Sequence, residues 1–248
     1  MTDGFRALIS SDWNQCLSPC GPFDPLVFHF PERSAEIEKV FRDYTGNRIS
    51  LSAALEIIAE FSGGKLTPGQ MDAYLDARFD LYPGVIELLK WCRRNQVAFM
   101  INTTGFRGYF QRLFARKMFP LPLALAANGM IAYRQTGPEP DMVFNLNETT
   151  DKGIFTARVA RSLGLDYDKV VVIGDSGGDG PHFQWGAENG ALLVAAFAKS
   201  SLIEFCRARN IKIGHFIGGL PGNRLSEAEG DGGNFMELVA LLEKLPGR

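Results

Sequence analysis

The densest chemistry in the sequence lies at Val170-Val171-Val172-Ile173-Gly174-Asp175-Ser176-Gly177-Gly178-Asp179, where an apolar run delivers two carboxylates four residues apart into a glycine-rich turn. Oxygen ligands of this kind suit Mg²⁺, a hard cation that keeps several waters and needs only one or two carboxylates plus a substrate phosphate. The same aspartates also fit a charged turn that caps the following helix. Upstream, Thr149-Thr150-Asp151-Lys152-Gly153 puts Lys152 in the first turn of a helix running to Leu163 and stopping at Gly164, with Thr150 or Asp151 as its cap. A lysine there opposes the helix dipole, which points to a use such as balancing phosphate charge, although an ordinary exposed lysine has the same signature. Near the amino end, Leu8-Ile9-Ser10-Ser11-Asp12 is an apolar run ending in a carboxylate. A strand-end carboxylate can attack phosphorus and split one hard displacement into two easier ones. By itself, Asp12 reads equally well as a turn residue.

Positioning these groups requires strands. Apolar runs at 5–10, 97–101, 121–127, 170–173 and 191–197 alternate with helical patterns, which predicts an α/β fold with a doubly wound, mostly parallel sheet. Ligands of such sheets bind beyond the carboxyl ends of the strands. Asp12, the run Asn102-Thr103-Thr104-Gly105, and Gly174-Asp175 each follow an apolar run. Residues 18–82 have helical periodicity without a strand and read as an insertion. Within it Ser34, Ser50 or Ser52, and Thr67-Pro68 mark helix starts. Pro83-Gly84 marks the return to a helix with Val85, Leu88, Leu89 and Trp91-Cys92 on its core face. The division predicted is a core of residues 1–17 and 83–248 and a helical cap of residues 18–82. Residues 128–147 suggest a β-hairpin with a Gly-Pro-rich tip, and 218–234 a flexible surface loop before a last helix from Asn234 to about Leu245.

The chain of 248 residues, 46% hydrophobic, can bury a sizeable core. Twenty-six basic and 28 acidic residues give a net charge of −2 with no single-sign run, so nothing marks a nucleic-acid or membrane partner, and a small molecule is the expected ligand. The first residues lack a secretory apolar core and no later segment is long and apolar enough to span a bilayer, which predicts a cytoplasmic protein. Cys16, Cys20, Cys92 and Cys206 are too sparse for a disulfide scaffold. Cys16 and Cys20 read as loop or buried thiols before they read as a metal or redox pair.

Taken in order, Asp12, Thr103, Lys152 and Asp175 with Asp179 resemble the four motifs of the haloacid dehalogenase superfamily. Tyr82-Pro83-Gly84 through Thr104-Gly105-Phe106 is similar to its phosphoserine phosphatase-like branch, which carries a helical cap between the first two motifs. The resemblance implies a Mg²⁺-dependent phosphohydrolase acting on a small phosphorylated metabolite. Asp12 would be the nucleophile. Thr103, or Thr104 if the register slips by one, and Lys152 would bind phosphate. Mg²⁺ would be held by the Asp12 carboxylate, the Asn14 backbone carbonyl and Asp175, with Asp179 supporting the metal shell. Arg33, Arg42, Arg78 and Phe79 are candidates to face the leaving group from the cap.

One position breaks the pattern. The first motif usually reads Asp-x-Asp-Gly-Thr, whereas this chain has Asp12-Trp13-Asn14-Gln15-Cys16. The second Asp is the general acid-base, and an amide cannot transfer that proton. A phosphate-ligand binding protein without turnover is therefore one alternative. Another is a serine hydrolase, because Gly174-Asp175-Ser176-Gly177-Gly178 fits a G-x-S-x-G nucleophile elbow; its histidine would have to be His29, His182 or His215.

Overall fold

The computed structural model of the chain describes residues 4–46, 48–62, 66–134, 137–219 and 232–245. Seven strands form one sheet: β1 (Ala7–Ser11), β2 (Val97–Phe106), β3 (Ala124–Asn128), β4 (Met142–Asn145), β5 (Val170–Gly174), β6 (Leu192–Ala196) and β7 (His215–Ile217). Their order is β4-β3-β2-β1-β5-β6-β7, and every pairing is parallel. Strands β1, β2, β3 and β5 are buried along their whole length, as strands covered on both faces by helices must be. The predicted α/β doubly wound sheet is present, and each apolar run read in the sequence supplies a strand. The chain grows away from β1 in both directions, so the topological switch point lies where β1 adjoins β5, at the carboxyl ends that carry Asp12 and Asp175.

Helices α1 (Asp24–His29), α2 (Ser34–Thr45), α3 (Leu51–Ser62) and α4 (Pro68–Arg78) lie between β1 and β2, with no strand among the described residues of that segment. The return helix α5 (Val85–Arg94) buries Val85, Leu88, Leu89 and Cys92. Helices α6 (Arg107–Ala115), α7 (Asp151–Ser162), α8 (Gly180–Glu188), α9 (Ser200–Ala208) and α10 (Leu238–Leu242) complete the layers. Thr67 and Gln70 form a reciprocal capping box at the start of α4, with Pro68 at its first position. Ser34 proves to be the first residue of α2 rather than its cap, and Arg33 at the cap position bonds to Glu36 in the first turn without capping the helix N–H groups.

The start of α3 is held twice. Ser50 Oγ accepts from the Ala53 N–H at 3.1 Å, and the Glu148 carboxylate, ahead of α7, accepts from Leu51 N at 3.2 Å, Ser52 N at 3.1 Å and Ser52 Oγ. A carboxylate on those orphan N–H groups is a helix cap supplied from distant sequence. Glu148→Ala should lower unfolding stability by about 1 kcal/mol, as loss of a cap does. Glu148→Gln, which keeps an acceptor, should lose less; a urea denaturation series checks the ranking.

Two expectations about the chain after β3 are corrected. Residues 128–147 form no hairpin. Ala124 to Ala127 pair in parallel with Met142 to Asn145, and the Gly-Pro-rich stretch is the crossover between β3 and β4. A parallel crossover needs about a dozen residues, which this stretch supplies. Asn128 fixes the junction by donating to Leu146 O at 2.9 Å and accepting from Met130 N at 2.8 Å. The last helix begins with Asn234 as its cap, passes through a 3₁₀ turn at Phe235–Glu237, and ends at Leu242 rather than Leu245. Most of the expected surface loop at 218–234, residues 220–231, lies outside the described residues. No described helix is long and apolar enough to cross a membrane.

Candidate active site

Asp12, Asp175 and Asp179 arrive from the end of β1, the end of β5 and the turn after β5. One carboxylate oxygen of each lies within 4.8 Å of the others. The Asp12 N–H donates to Ile173 O at 2.9 Å, tying the two strand ends together. Asp179 folds back on its own turn: Oδ2 accepts from Asp175 N at 2.9 Å and Ser176 N at 3.2 Å. That approach needs a glycine at 174, where a Cβ would meet the Asp179 carboxyl carbon at 2.6 Å.

Two lysines face these three carboxylates. Lys152, in the first turn of α7 and only 2% exposed, lies 2.8 Å from Asp12 Oδ1 and 2.6 Å from Asp179 Oδ1. Lys199, just after β6, lies 2.7 Å from Asp175 Oδ2 and also contacts Gln15 Oε1. Asp175 Oδ2 is buried, and the Lys199 ammonium is its charge partner.

Burial pushes Asp12 up to about 6, against the pull of Lys152 and with help from the Asp179 charge. Burial likewise raises Asp175 to about 7 against Lys199, with Asp179 and Asp12 adding repulsion. Burial also acts on Asp179, but Lys152 and the two backbone N–H donors outweigh it and hold that carboxyl below its usual range. Lys152 is penalised by burial and held charged, above its usual value, by Asp12 and Asp179. A buried cluster of three carboxylates facing two ammonium groups keeps surplus negative charge and is a chemically apt set of donors for a hard divalent cation, so Mg²⁺ fits these residues.

A hydrogen-bonded base supports Lys152 from below. The buried Asn102 amide donates to Lys152 O at 2.9 Å and lies 3.1 Å from Ser10 Oγ and from Thr156 Oγ1. Thr156 Oγ1 donates to Lys152 O at 2.8 Å, and the His182 ring meets it through Nε2 at 2.9 Å. The His182 Nδ1 atom has no partner among the described residues. Burial drives His182 down to about 3, so it is neutral in the folded state. This shift has a definite sign. A histidine depressed below its unfolded value of 6.5 gives stability above pH 6.5 and loses it as pH falls toward 3, because the unfolded chain binds the proton first. At pH 5 its share of the loss is about 2 kcal/mol. His182→Gln should therefore lose less stability than the parent between pH 7 and pH 5; equal slopes in urea denaturation at the two pH values would remove His182 from this role.

The second motif splits across the two faces of β2. Thr103 donates from Oγ1 to Asn14 Oδ1 at 2.9 Å and accepts from Gly105 N at 3.1 Å. Asn14 donates in turn to Cys20 O at 3.3 Å. Thr104 lines the cavity over the carboxylates, together with Asn14, Lys152, Ser176 and Lys199, while the Tyr44 hydroxyl hydrogen-bonds to Thr104. The cavity measures about 20 Å³, room for about one water. Its roof comes from Pro22, Phe41, Tyr44 and Thr45. Arg33, Arg42, Arg78 and Phe79 do not line it; Arg33 pairs with Glu36 and Arg42 with Glu38 on exposed helix surface. A larger hollow of about 750 Å³, lined by Phe5, Leu89, Val97, Phe99 and Leu123, opens at the amino ends of the strands, away from all of this chemistry.

Lys199, Gln15 and Tyr44 belong to the site and were missed in the sequence. Lys199 carried a usable signal, since it follows an apolar run as Asp12 and Asp175 do. Ser176 is paired with the turn rather than with a base: it forms a reciprocal capping box with Asp179. His29 meets Gln70 O at 2.8 Å, His182 meets Thr156, and His215 sits on edge strand β7 facing Glu237 at 3.5 Å. No serine–histidine pair exists among the described residues. Cys16 is buried 3.8 Å from Ser11 Oγ, while Cys20 donates to Arg78 O, so the two thiols have separate partners.

No family model matches the chain, and no curated protein matches it in sequence. Its fold does match solved structures. A phosphoserine phosphatase described as a phospho-aspartyl intermediate analogue aligns with a TM-score of 0.68 at 15% identity, covering 96% of this chain and 99% of that one. A HAD family hydrolase from Salmonella enterica subsp. enterica serovar Typhi aligns with a TM-score of 0.68 at 18% identity, covering 97% and 73%. A phosphoserine phosphohydrolase-like protein from Francisella tularensis subsp. tularensis aligns with a TM-score of 0.53 at 15% identity, covering 85% and 94%. The chain thus has the fold of these phosphoserine phosphatase structures.

Proposed function

We propose that this chain, folded as phosphoserine phosphatase is, is a Mg²⁺-dependent phosphohydrolase that acts on a small phosphorylated metabolite through an aspartyl phosphate at Asp12. The observation that carries the reading is the convergence of Asp12, Lys152, Asp175 and Asp179 at the sheet's switch point. Asp12 attacks phosphorus in line with the leaving oxygen: an Asp12 oxygen–phosphorus bond forms and the phosphorus–leaving-group bond breaks. Lys152 holds Asp12 in place and offsets charge on the phosphoryl oxygens, and Thr104 offers a hydroxyl from the cavity wall. Asp12, the Asn14 carbonyl and Asp175 would hold Mg²⁺, with Asp179 fixing the turn beneath, and the ion would supply charge neutralisation for the phosphoryl group. Residues 18–82 serve as a cap, and the size of the cavity means that its roof must move to admit substrate. Asn14 leaves the leaving oxygen without a titratable partner, so turnover is slow for alkyl esters and faster for phosphates with acidic leaving groups.

A panel of phosphorylated metabolites and an aryl phosphate, assayed with Mg²⁺ and again with chelator, tests the reading. Phosphate release in the first condition and none in the second is expected. Tight binding of a phosphorylated metabolite without turnover would favour the binding-protein alternative.

A further inference from the structure

We infer that Lys199 is a metal-displaced lysine: it covers a carboxylate oxygen of Asp175 while the divalent cation is away, and turns its charge to the entering anion once the cation binds. This rests on the reading of Asp12, Asp175 and Asp179 as the Mg²⁺ site.

Three observations converge on this residue. The first is the contact itself. Lys199 Nζ lies 2.7 Å from the buried Asp175 Oδ2 and offsets its charge. The ammonium thus occupies a carboxylate oxygen of the cluster for which a divalent cation would compete. The second is that Lys199 has other holds. It contacts Gln15 Oε1, lies 5.3 Å from the centre of the Phe41 ring in α2, and keeps a side chain 31% exposed. It can release Asp175 and stay in the cavity. By contrast, Lys152 is locked between two carboxylates and almost wholly buried.

The third observation is local cost accepted at both ends of the contact. Gln15 sits at φ 57°, in the left-handed region where the usual first motif has Gly. A non-glycine residue there is locally strained and persists where something else holds it. Lys199 occupies the cap position of α9, where a cation opposes the helix dipole. Neither residue is the locally favoured choice, and together they place one ammonium on a metal-facing carboxylate.

The charges give this arrangement a direction. Without metal, three buried carboxylates face two ammonium groups, and Lys199 reduces the repulsion among them. A divalent cation makes that compensation redundant and repels the ammonium. The site, now with surplus positive charge, has a mobile cation next to the space where phosphate must enter. Lys199 is therefore a competitor of the metal and a partner of the anion, and its removal has opposite effects on the two.

The test uses binding alone. Mg²⁺ is titrated calorimetrically into the metal-free full chain as wild type, Lys199→Met and Lys199→Arg. Lys199→Met should bind Mg²⁺ more tightly by roughly 5- to 100-fold, the usual span of coupling between two sites, while Lys199→Arg stays near wild type. Inorganic phosphate titrated into the Mg²⁺-saturated proteins should bind Lys199→Met about tenfold more weakly, a change within the same coupling span. A merely structural lysine would weaken both or neither. Lys199→Gln repeats the comparison with a polar neutral side chain should the methionine variant fold poorly. Unchanged or weaker Mg²⁺ binding in the neutral variants, or unchanged phosphate binding, overturns the inference while leaving the phosphohydrolase reading intact. Absence of Mg²⁺ binding in wild type and variants alike overturns both.

Discussion

Asp12→Asn is expected to release no measurable phosphate and to fold as the parent does. The amide fits the same space but cannot attack phosphorus, and it offers the metal a weaker oxygen. Loss of a nucleophile in other hydrolases removes turnover by about 10⁴-fold or more, and that scale is expected here. The variant separates chemistry from folding because Lys152 keeps its second partner, Asp179, at 2.6 Å. Removing one charge from a cluster in which Asp12 and Asp175 are both pushed up in pKa also relieves repulsion. Metal-free Asp12→Asn should melt no lower than wild type. Phosphate release at the parental rate by a protein that melts normally would take Asp12 out of the mechanism. Loss of release together with a large fall in melting temperature would assign it to the scaffold instead.

Asn14→Asp is expected to act in the opposite direction. Asn14 is held over the site by Thr103 and by Cys20 O, and Gly105 gives it room, since a Cβ there would lie 2.7 Å from Asn14 Oδ1. A carboxylate keeps the bond from Thr103 and loses the donor to Cys20 O, a cost of about 1 kcal/mol. In exchange it brings a proton to the leaving oxygen. For an alkyl phosphate, turnover should rise by up to the roughly 10² to 10⁴ that a positioned acid-base supplies. An aryl phosphate leaves readily as an anion and should gain less in the first step. Rapid-quench measurements divide the gain between formation of the aspartyl phosphate and its hydrolysis; in the parent, a burst of one product per site before slow phosphate release locates the defect in the second step. If Asn14→Asp folds, binds Mg²⁺ and accelerates neither step, the amide is not what limits turnover.

The parts of this site that could be read in the sequence are those announced by their own neighbours. Asp12, Asp175 and the second-motif threonines each follow an apolar run that could only be a buried strand, and Lys152 stood out by opposing a helix dipole. Tyr44 could not be read that way, because Ile37, Val40 and Tyr44 form one apolar stripe along α2 and the destination of a hydroxyl at its end is a tertiary fact. Lys199 also follows an apolar run, but that run continues through Phe197, a residue turned to φ 50° after the strand has ended, which blurs where the strand stops. The hairpin misreading at 128–147 has the same origin. Glycine and proline announce a reversal of the chain, but the parallel partner of β4 is set by pairing across the sheet. The motif resemblance puts Thr103 first, with Thr104 if the register slips by one; the structure puts Thr104 on the cavity wall and Thr103 against Asn14.

The position of β1 in the sheet also governs how the molecule can assemble. It is made early, yet its partners are β2, from which all of α1–α4 separates it, and β5, whose Val170 lies opposite Leu8. A strand flanked on both sides by later sequence waits for most of the chain, and contacts this distant slow the search for the native arrangement. Until β5 arrives, an apolar segment with unsatisfied backbone groups on its edge remains open to association with other chains, a hazard that grows with protein concentration. Refolding yield should therefore fall as concentration rises. A chain interrupted before residue 170 should form no stable sheet, because the nucleophile's own strand would lack half of its ladder.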